Sequence, residues 1–240
     1  MPTSPPIAFF NSNPSWGGGE KWHFDIAARL HEKGHRVIFF VQEGGELHHM
    51  LGNHRIPYVT VNISNYSFIN PLKVFSLSWM FRKHGVTSII LNLPSDAKVA
   101  GLAARRAGVT KIIYRRGTAL PVHNNFFNRY LFQKVITHIV TNSQETKNLL
   151  LKRNPNMVKK DKIHVIYNGL DLEQYDNLPS QPVYQASEGE VVIGNAGRFV
   201  EQKGHHYLLE VAQKLKERDI PFRILLAGEG RLEPSIRQQV

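Results

Sequence analysis

The sequence of 240 residues contains no cysteine. That absence excludes disulfide-stapled folds, thiol catalysis, zinc–thiolate sites and iron–sulfur clusters. No run approaches the ~20 apolar residues that a membrane-spanning helix needs. The first ten residues lack the basic flank and long apolar stretch of a signal peptide. The remaining composition, 42% hydrophobic and 20% charged, is ordinary for a folded globular chain. We therefore expect a cytoplasmic protein with a sizeable core.

Acidic residues are scarce in the first part of the chain. Residues 1–170 hold 22 Lys and Arg against 8 Asp and Glu, whereas residues 171–240 hold 8 against 11. This asymmetry favours a polyanionic partner for the first part, such as nucleic acid, anionic lipid or a phosphorylated substrate. A well-solvated basic surface is the alternative. No zinc finger, RNA-recognition signature or basic heptad helix accompanies the charge, which disfavours nucleic acid.

Short β-rich runs alternate with longer amphipathic stretches along the chain. Predicted strands cover residues 7–10, 36–41, 58–61, 88–91, 111–114, 138–141, 163–166, 191–194 and 222–227. Predicted helices cover residues 20–33, 72–84, 96–107, 126–136, 144–153 and 203–217, and a further helix opens after Gly230. Runs such as 88–91 are apolar on both faces, as in a parallel sheet covered by helices. The pattern predicts an α/β fold with a doubly wound, Rossmann-type parallel sheet.

Helix ends carry their own signals. Ser95-Asp96 and Ser143 predict helix starts, because their oxygen-bearing side chains can accept hydrogen bonds from free first-turn amides. Gly34, Gly85 and Gly108 predict helix ends, since glycine readily takes the left-handed conformation that closes a helix.

A polar, proline-containing stretch divides the chain. We interpret residues 1–170 as one domain, 171–190 as an interdomain linker, and 191–240 as the start of a second domain. The last 50 residues supply one β-α-β unit, too little for an independent doubly wound domain. The sequence thus predicts a truncated second domain, and a purified chain that is inactive by itself and prone to associate through open strand edges.

The first loop contains Gly17-Gly18-Gly19 between a strand and a helix. Glycines at such a position let backbone amides approach a ligand, and a helix N-terminus favours anions. The run matches neither the dinucleotide fingerprint nor the P-loop, so these classes lose support. A simple tight turn is the alternative. We interpret the following Glu20 as a complement to the helix dipole.

The second part carries the stronger motif, Gly197-Arg198-Phe-Val-Glu-Gln-Lys203-Gly204, again between a strand and a helix. Arg198 follows the strand end, and Lys203 is expected to open the helix. Two cations beside free helix amides suit a diphosphate. Gly228-Glu229-Gly230 follows the next strand and forms half of a dinucleotide fingerprint. The alternative is an exposed loop with two unrelated cations.

The order of these motifs, with Asn168-Gly169-Leu-Asp171 between the domains, resembles the GT-B glycosyltransferases of the large retaining family that includes glycogen and sucrose synthases and lipopolysaccharide sugar transferases. By that resemblance, Arg198 and Lys203 bind the donor diphosphate in place of a metal. Gly228 and Glu229 belong to the same donor site, and Gly18 and Gly19 close on the donor and acceptor. The basic first domain then faces the acceptor or an anionic membrane surface.

Two departures from the family pattern stand out. The family's pair of glutamates separated by seven residues is missing, since no two glutamates are eight positions apart. Arg116-Gly117 stands where the family commonly has His-Gly. Arg116 is our candidate catalytic residue, able to grip a phosphate or a sugar hydroxyl but too basic to act as a general base. Surface charge is the alternative for Arg115-Arg116.

The resemblance implies a metal-independent hexosyltransferase that uses a nucleotide sugar such as UDP- or GDP-hexose, with retention, and needs no further cofactor. Its acceptor is a glycan or lipid-linked molecule of cell-envelope polysaccharide synthesis. Adjacent histidines such as His48-His49 make poor metal pairs, so no metal site is predicted. Two alternatives remain: a GT-B-like nucleotide-sugar epimerase, and an inactive basic domain that binds the inner membrane face through clusters such as Lys159-Lys160-Asp161-Lys162 and Arg105-Arg106.

Overall fold

Two compact units make up the chain, residues 1–170 and residues 171–240. The computed structural model describes residues 4–118, 121–152, 154–179 and 181–239. Each unit is built from strands that alternate with helices, as the hydrophobic pattern predicts.

The first unit contains one parallel sheet of seven strands in the order β3-β2-β1-β4-β5-β6-β7. Its strands are Ile7–Asn11 (β1), Val37–Gln42 (β2), Tyr58–Val61 (β3), Ser88–Leu91 (β4), Lys111–Arg116 (β5), His138–Thr141 (β6) and Ile163–Val165 (β7). β1 lies inside the sheet, with Ile7 in register with Val37 of β2 on one side and Ser88 of β4 on the other. This is the α/β fold with a parallel, doubly wound sheet that the sequence predicts.

Helices connect these strands and cover both faces of the sheet. The α-helices are Gly18–Glu32 (α1), Glu46–Gly52 (α2), Pro71–Lys83 (α3), Pro94–Ala107 (α4), Phe126–Tyr130 (α5) and Gln144–Lys152 (α6). A π-helical turn, Leu131–Val135, continues α5, and 3₁₀ turns cover Ser67–Ile69 and Lys160–Lys162. The predicted end of α6 at residue 153 lies outside the described residues.

Adjacent aromatic residues on β1 and β2 pack into the two core clusters, one on each face of the sheet. Phe9 packs with Phe39 on one face of the sheet, at 5.3 Å between ring centroids, in a cluster that includes Ala27 of α1. Phe10 packs with Phe40 on the other face, in the cluster formed with α3 and α4. Successive side chains of a strand point to opposite faces, so a strand buried on both sides is apolar throughout.

The second unit contains two parallel strands, Val191–Ala196 (β8) and Phe222–Ala227 (β9), paired from Val191 with Phe222 to Ala196 with Ala227. Helix His205–Lys216 (α8) connects them, and Glu233–Gln239 (α9) follows β9. A 3₁₀ turn, Glu201–Lys203, precedes α8. The stretch interpreted as a linker contains a short helix, Leu172–Asp176 (α7).

The glycine helix ends are confirmed, because Gly34, Gly85 and Gly108 have φ values of 81°, 64° and 85°. The cap at Ser143 is also confirmed, since its hydroxyl accepts a hydrogen bond from the Thr146 amide at 3.1 Å. The start at Ser95-Asp96 is wrong. α4 begins at Pro94, whose fixed φ suits the first helical position.

Two other boundaries differ from the sequence pattern. α8 begins at His205 instead of residue 203, because Gly204 has a φ of 65° and ends the 3₁₀ turn in a left-handed conformation. Lys203 therefore lies on the turn before the helix and does not open it. α2, seven residues long, was not predicted, since its histidine-rich segment lacks a long apolar repeat.

In parallel α/β sheets, ligands bind at the carboxyl ends of the two neighbouring strands from which the chain proceeds in opposite directions. The connections from β1 run to β2 and β3 on one side, and the chain then returns to β4 beside β1. The crevice outside the carboxyl ends of β1 and β4 is the topological switch point. Among the described residues, no helix combines the length and apolar character needed to cross a bilayer.

Candidate donor and acceptor sites

A buried carboxylate joins the two central strands at the switch point. The Glu20 side chain accepts hydrogen bonds from the side-chain amides of Asn11, at 3.3 Å, and Asn92, at 2.9 Å. Asn11 ends β1 and Asn92 directly follows β4, whereas Glu20 lies in the first turn of α1. Glu20 is only 3% exposed, so its role extends beyond the helix-dipole complement expected from the sequence. It ties α1 to both strand ends.

Gly19 makes this junction possible. A Cβ atom built at Gly19 would lie 2.9 Å from Nδ2 and 3.1 Å from Oδ1 of Asn92, closer than real contacts allow. Gly18 has no such neighbour, since a Cβ there would meet nothing within 4 Å. Both residues lie in the first turn of α1, and no side chain caps that helix end among the described residues. Gly19 is thus required by packing, whereas Gly18 leaves its helix end open.

A second buried carboxylate lies at the same switch point, after the ends of β1 and β4. The Ser12 hydroxyl donates to Oδ1 of Asp96 at 2.5 Å, and the Leu93 amide donates to Oδ2 at 2.9 Å. Burial raises the pKa of Asp96 to about 7, against these hydrogen bonds, which favour the charged form. Asp96 therefore titrates near neutral pH.

The two arginines that end β5 have different neighbours, because consecutive side chains of a strand point to opposite faces of the sheet. The Arg115 guanidinium lies 5.0 Å from the ring centroid of Trp22, on the α1 side of the sheet. Burial lowers the pKa of Arg115, while the Glu20 carboxylate opposes that shift. Arg116 interacts instead with Tyr114, two residues earlier on the same face of the strand. Both arginines are 7% exposed, so neither is the free surface charge considered as the alternative.

Gly117 lets Arg115 fold back over the strand end. A Cβ atom at Gly117 would lie 2.4 Å from Nη1 of Arg115. A side chain at the position after the arginine pair would therefore displace the Arg115 guanidinium. This contact could not be read from the Arg-Gly dipeptide alone.

His23 lies next to this cluster and is fully buried. Its ring packs edge-on against Phe9, at 5.4 Å between centroids, and neither ring nitrogen has a hydrogen-bond partner among the described residues. Burial, together with the charge of Arg115, lowers the pKa of His23 to about 3. The folded protein holds this histidine neutral.

His23 and Asp96 should influence stability in opposite directions as the pH changes. Between pH 4 and 6.5, unfolded His23 binds a proton that the folded residue does not, so its contribution to the free energy of unfolding increases with pH. Folded Asp96 keeps a proton up to about pH 7 that the unfolded residue has lost, so its contribution decreases with pH. Each slope is about 1.4 kcal/mol per pH unit, and the two oppose each other.

We therefore predict opposite pH profiles for two variants. Relative to wild type, His23→Leu should lose stability as the pH rises from 4.5 to 6.5, and Asp96→Asn should gain it, each by about 2–3 kcal/mol. Urea unfolding followed by circular dichroism at the two pH values measures both. Parallel profiles for the two variants and wild type would show that these residues are ionised as in water.

In the second unit, two glycine-containing loops lie directly against each other. The amides of Gly197 and Phe199 donate to the carbonyls of Ala227 and Glu229, at 2.8 and 2.7 Å. Gly228 has a φ of 148°, and a Cβ atom there would lie 2.0 Å from the Gly197 carbonyl oxygen. The motifs after β8 and β9 thus form one paired loop structure, which we call the paired loops, residues 197–204 and 228–230.

Arg198 and Lys203 are exposed on the paired loops. The Lys203 side chain runs along Gly197, since a Cβ atom there would lie 3.5 Å from Lys203 Cδ and Cε. Neither cation pairs with an acidic side chain in the described part of the chain, whereas the neighbouring Glu201 is paired with Arg231. α8 has no side-chain cap, and Gly204 precedes it. Arg198 and Lys203, which have no acidic partner among the described residues, therefore lie near a helix N-terminus that no side chain caps.

The structure thus distributes the predicted site residues over the two units. Gly18, Gly19 and Arg116 lie at the carboxyl edge of the first sheet, and Arg198, Lys203, Gly228 and Glu229 lie on the paired loops. Sequence reasoning did not find Asn11, Asn92 and Asp96. Polar residues at the ends of neighbouring predicted strands were the available signal. No three His, Asp or Glu side chains among the described residues are grouped to hold a metal ion.

The seven-stranded parallel sheet flanked by helices matches the fold of GT-B glycosyltransferases. The family model for Glycosyltransferase Family 4 matches residues 16–174, and that for Glycosyl transferases group 1 matches residues 179–240. The chain belongs to Glycosyltransferase Family 4.

Three proteins illustrate this similarity. EpsF of Bacillus subtilis (strain 168), which carries the name of a glycosyltransferase, is 32% identical over 155 residues, covering 58% of this chain and 40% of EpsF. The Anabaena protein HepE, solved with UDP and glucose, has a TM-score of 0.75 at 18% identity. A glycosyltransferase from Rickettsia africae ESF-5 has a TM-score of 0.76 at 22% identity. Each of these two comparisons covers 98% of this chain, but only 65% of HepE and 63% of the Rickettsia protein.

Proposed function

We propose that the protein is a glycosyltransferase that moves a hexose from a nucleotide-sugar donor to a glycan or lipid-linked acceptor. The observation that carries the proposal is the pair of exposed, uncommitted cations on the paired loops of a Family 4 chain. HepE, which shares the fold, was solved with UDP and glucose, which supports a uridine nucleotide as the first donor to test.

The second unit is assigned to the donor diphosphate. Arg198 can form two parallel hydrogen bonds with phosphate oxygens, and Lys203 adds a compact charge. The open N-terminus of α8 adds backbone amides and the positive end of a helix dipole. As the bond from sugar to phosphate breaks, negative charge builds on the leaving diphosphate, and these groups stabilise it.

The same arrangement supports a reaction without a metal. In many phosphate-binding enzymes a divalent cation neutralises the leaving group, and two side-chain cations can supply the same charge. We assign that role to Arg198 and Lys203. Retention at the anomeric carbon follows from the family resemblance, and we include it in the proposal.

The first unit is assigned to the acceptor. Its switch-point crevice brings together amide, hydroxyl and carboxylate groups, in Asn92, Ser12 and Asp96, with Arg116 at the neighbouring strand end. Groups of this kind suit the hydroxyls of a sugar. Arg116 would hold a phosphate or hydroxyl of the acceptor.

Donor binding and donor turnover test the proposal separately. UDP, GDP and ADP are titrated into the purified chain by calorimetry, and we expect one nucleoside diphosphate to bind in preference. In a turnover assay of the protein, release of nucleoside diphosphate should require an acceptor and should be unchanged by EDTA. The product should keep the anomeric configuration of the donor.

Each alternative has its own result. Conversion of the donor sugar to another sugar without any acceptor would identify an epimerase. If none of the three nucleoside diphosphates binds, the donor assignment is contradicted. The similarity to glycosyltransferases would then concern the fold alone.

A further inference from the structure

A row of exposed apolar side chains runs along α3 and the turn before it. Its members are spaced so that they lie on one side of these consecutive helical turns, and each is between 48% and 77% exposed. We call this row the apolar stripe: Tyr66, Ile69, Leu72, Phe75 and Trp79. The opposite face of α3 is buried against the core through Leu77, Ser78 and Phe81. The stripe is therefore not required for packing within the first unit.

Cations lie against two aromatic rings of the apolar stripe. The Lys83 ammonium lies 5.1 Å from the ring centroid of Trp79, and the Arg106 guanidinium lies 3.9 Å from that of Phe75. Arg82 donates to the backbone carbonyl of Arg106 and so joins α3 to the end of α4. The aromatic rings and the charges thus form one continuous surface.

Acidic residues are missing from this part of the sequence. From Leu47 to Gln144 the only acidic residue is Asp96, which is fully buried in the switch-point crevice. The same segment contains 12 lysines and arginines. No carboxylate of this segment is therefore available at the surface to oppose an anionic partner.

We propose that the apolar stripe is a docking surface for an anionic lipid bilayer. Aromatic and aliphatic side chains enter the boundary between headgroups and acyl chains, while lysine and arginine bind the anionic headgroups. Trp and Tyr are favoured at that boundary because their rings are amphipathic. A second copy of this chain fits less well, since a symmetric contact would place like charges against each other. The proposal does not depend on sugar transfer.

The lipid contact differs from the one that charge clusters alone predicted. In the cluster at residues 159–162, the Lys162 ammonium donates to the carbonyls of Gln133 and Ile136, both at 3.0 Å. Arg105 likewise donates to the carbonyl of Lys134. Lys162 and Arg105 are thus engaged with the backbone, whereas Arg106 of the second cluster lies against the apolar stripe, whose side chains are exposed.

Vesicle flotation tests the proposal with the purified chain. Phosphatidylcholine vesicles containing one quarter phosphatidylglycerol should bind it, and pure phosphatidylcholine vesicles should not. Raising NaCl from 50 to 500 mM should weaken the binding, because exposed charges are screened. Leu72→Ser/Trp79→Ser should weaken it at least about tenfold through loss of apolar burial. The matched control, Ile166→Ser/Tyr167→Ser, removes two equally exposed apolar residues elsewhere and should bind as wild type does.

A charge variant and a spectroscopic measurement complete the test. Lys83→Glu should weaken binding about fivefold or more, while Lys33→Glu, with the same net charge, should have little effect. Tryptophan emission should shift to the blue on anionic vesicles, and the shift should disappear in Trp79→Phe. Circular dichroism checks that every variant folds.

Three results would overturn the proposal. The first is equal binding to neutral and anionic vesicles, or binding to neither. The second is wild-type binding by Leu72→Ser/Trp79→Ser. The third is a wild-type dimer that does not bind vesicles and that Leu72→Ser/Trp79→Ser converts to a monomer, which would show that a second copy covers the apolar stripe.

Discussion

Replacement of Arg198 or Lys203 by alanine is expected to lower donor turnover by about 10²–10³-fold, the usual effect of removing one preorganised donor to a developing negative charge. Each cation should contribute charge-assisted hydrogen bonds that strengthen as the diphosphate leaves. Both side chains are exposed, so the fold should remain intact. Calorimetric titration of nucleoside diphosphate and the rate of its release from the donor measure the two parts of the effect.

Three controls make this result specific. Lys214→Ala removes an equally exposed cation from α8, outside the paired loops, and should turn over donor normally. Arg198→Lys should remain impaired, since an ammonium cannot reproduce a bidentate guanidinium contact. EDTA should change neither wild type nor variants. Normal nucleoside diphosphate binding and normal turnover by both alanine variants would contradict the assignment of the diphosphate site to the paired loops.

Gly228→Ala is expected to have the second large effect, because it separates the paired loops. The added Cβ would lie 2.0 Å from the Gly197 carbonyl oxygen, and the φ of 148° is unfavourable for any residue with a side chain. The clash involves the carbonyl oxygen and carbonyl carbon of Gly197. Both are backbone atoms, so no side-chain rotation can relieve it. We expect a local loss of at least about 3 kcal/mol and loss of nucleoside diphosphate binding.

Hydrogen exchange locates this effect within the second unit. The Gly197 and Phe199 amides are bonded to the carbonyls of Ala227 and Glu229, and they should exchange about 100-fold faster in the variant. Gly194→Ala is the matched control. It lies on β8, has no neighbour within 4 Å of a built Cβ, and should retain wild-type exchange. Unchanged exchange at Gly197 in Gly228→Ala would mean that the two loops do not depend on each other.

The sequence alone determined the α/β class and the strands. Runs such as Phe9-Phe10 and Ile89-Ile90 are apolar on both faces, and this pattern is local, so it can be recognised without knowing the partners. Gly34, Gly85 and Gly108 were recognisable as helix ends for a similar reason, since a left-handed residue after a helix is a local requirement. The order of the glycine and cation motifs also identified the family.

Only the tertiary structure decided how the candidate sites are assembled. Glu20 meets Asn92, 72 residues away, and Ser12 meets Asp96, 84 residues away, because the sheet order places β1 beside β4. Nothing in the sequence near Glu20 reveals that partner. The same holds for Gly228, whose conformation is required by Gly197 on the neighbouring strand connection.

The apolar stripe was hidden for a related reason. α3 is apolar on the side that packs against the core and on the side that faces outward, so its sequence does not show which side is buried. Packing against α4 buries Leu77 and Phe81 and leaves Leu72 and Trp79 exposed. Local propensity and periodicity thus determined where the helices and strands form. The pairing of distant segments determined which of their side chains meet, which are buried, and which remain available to a ligand.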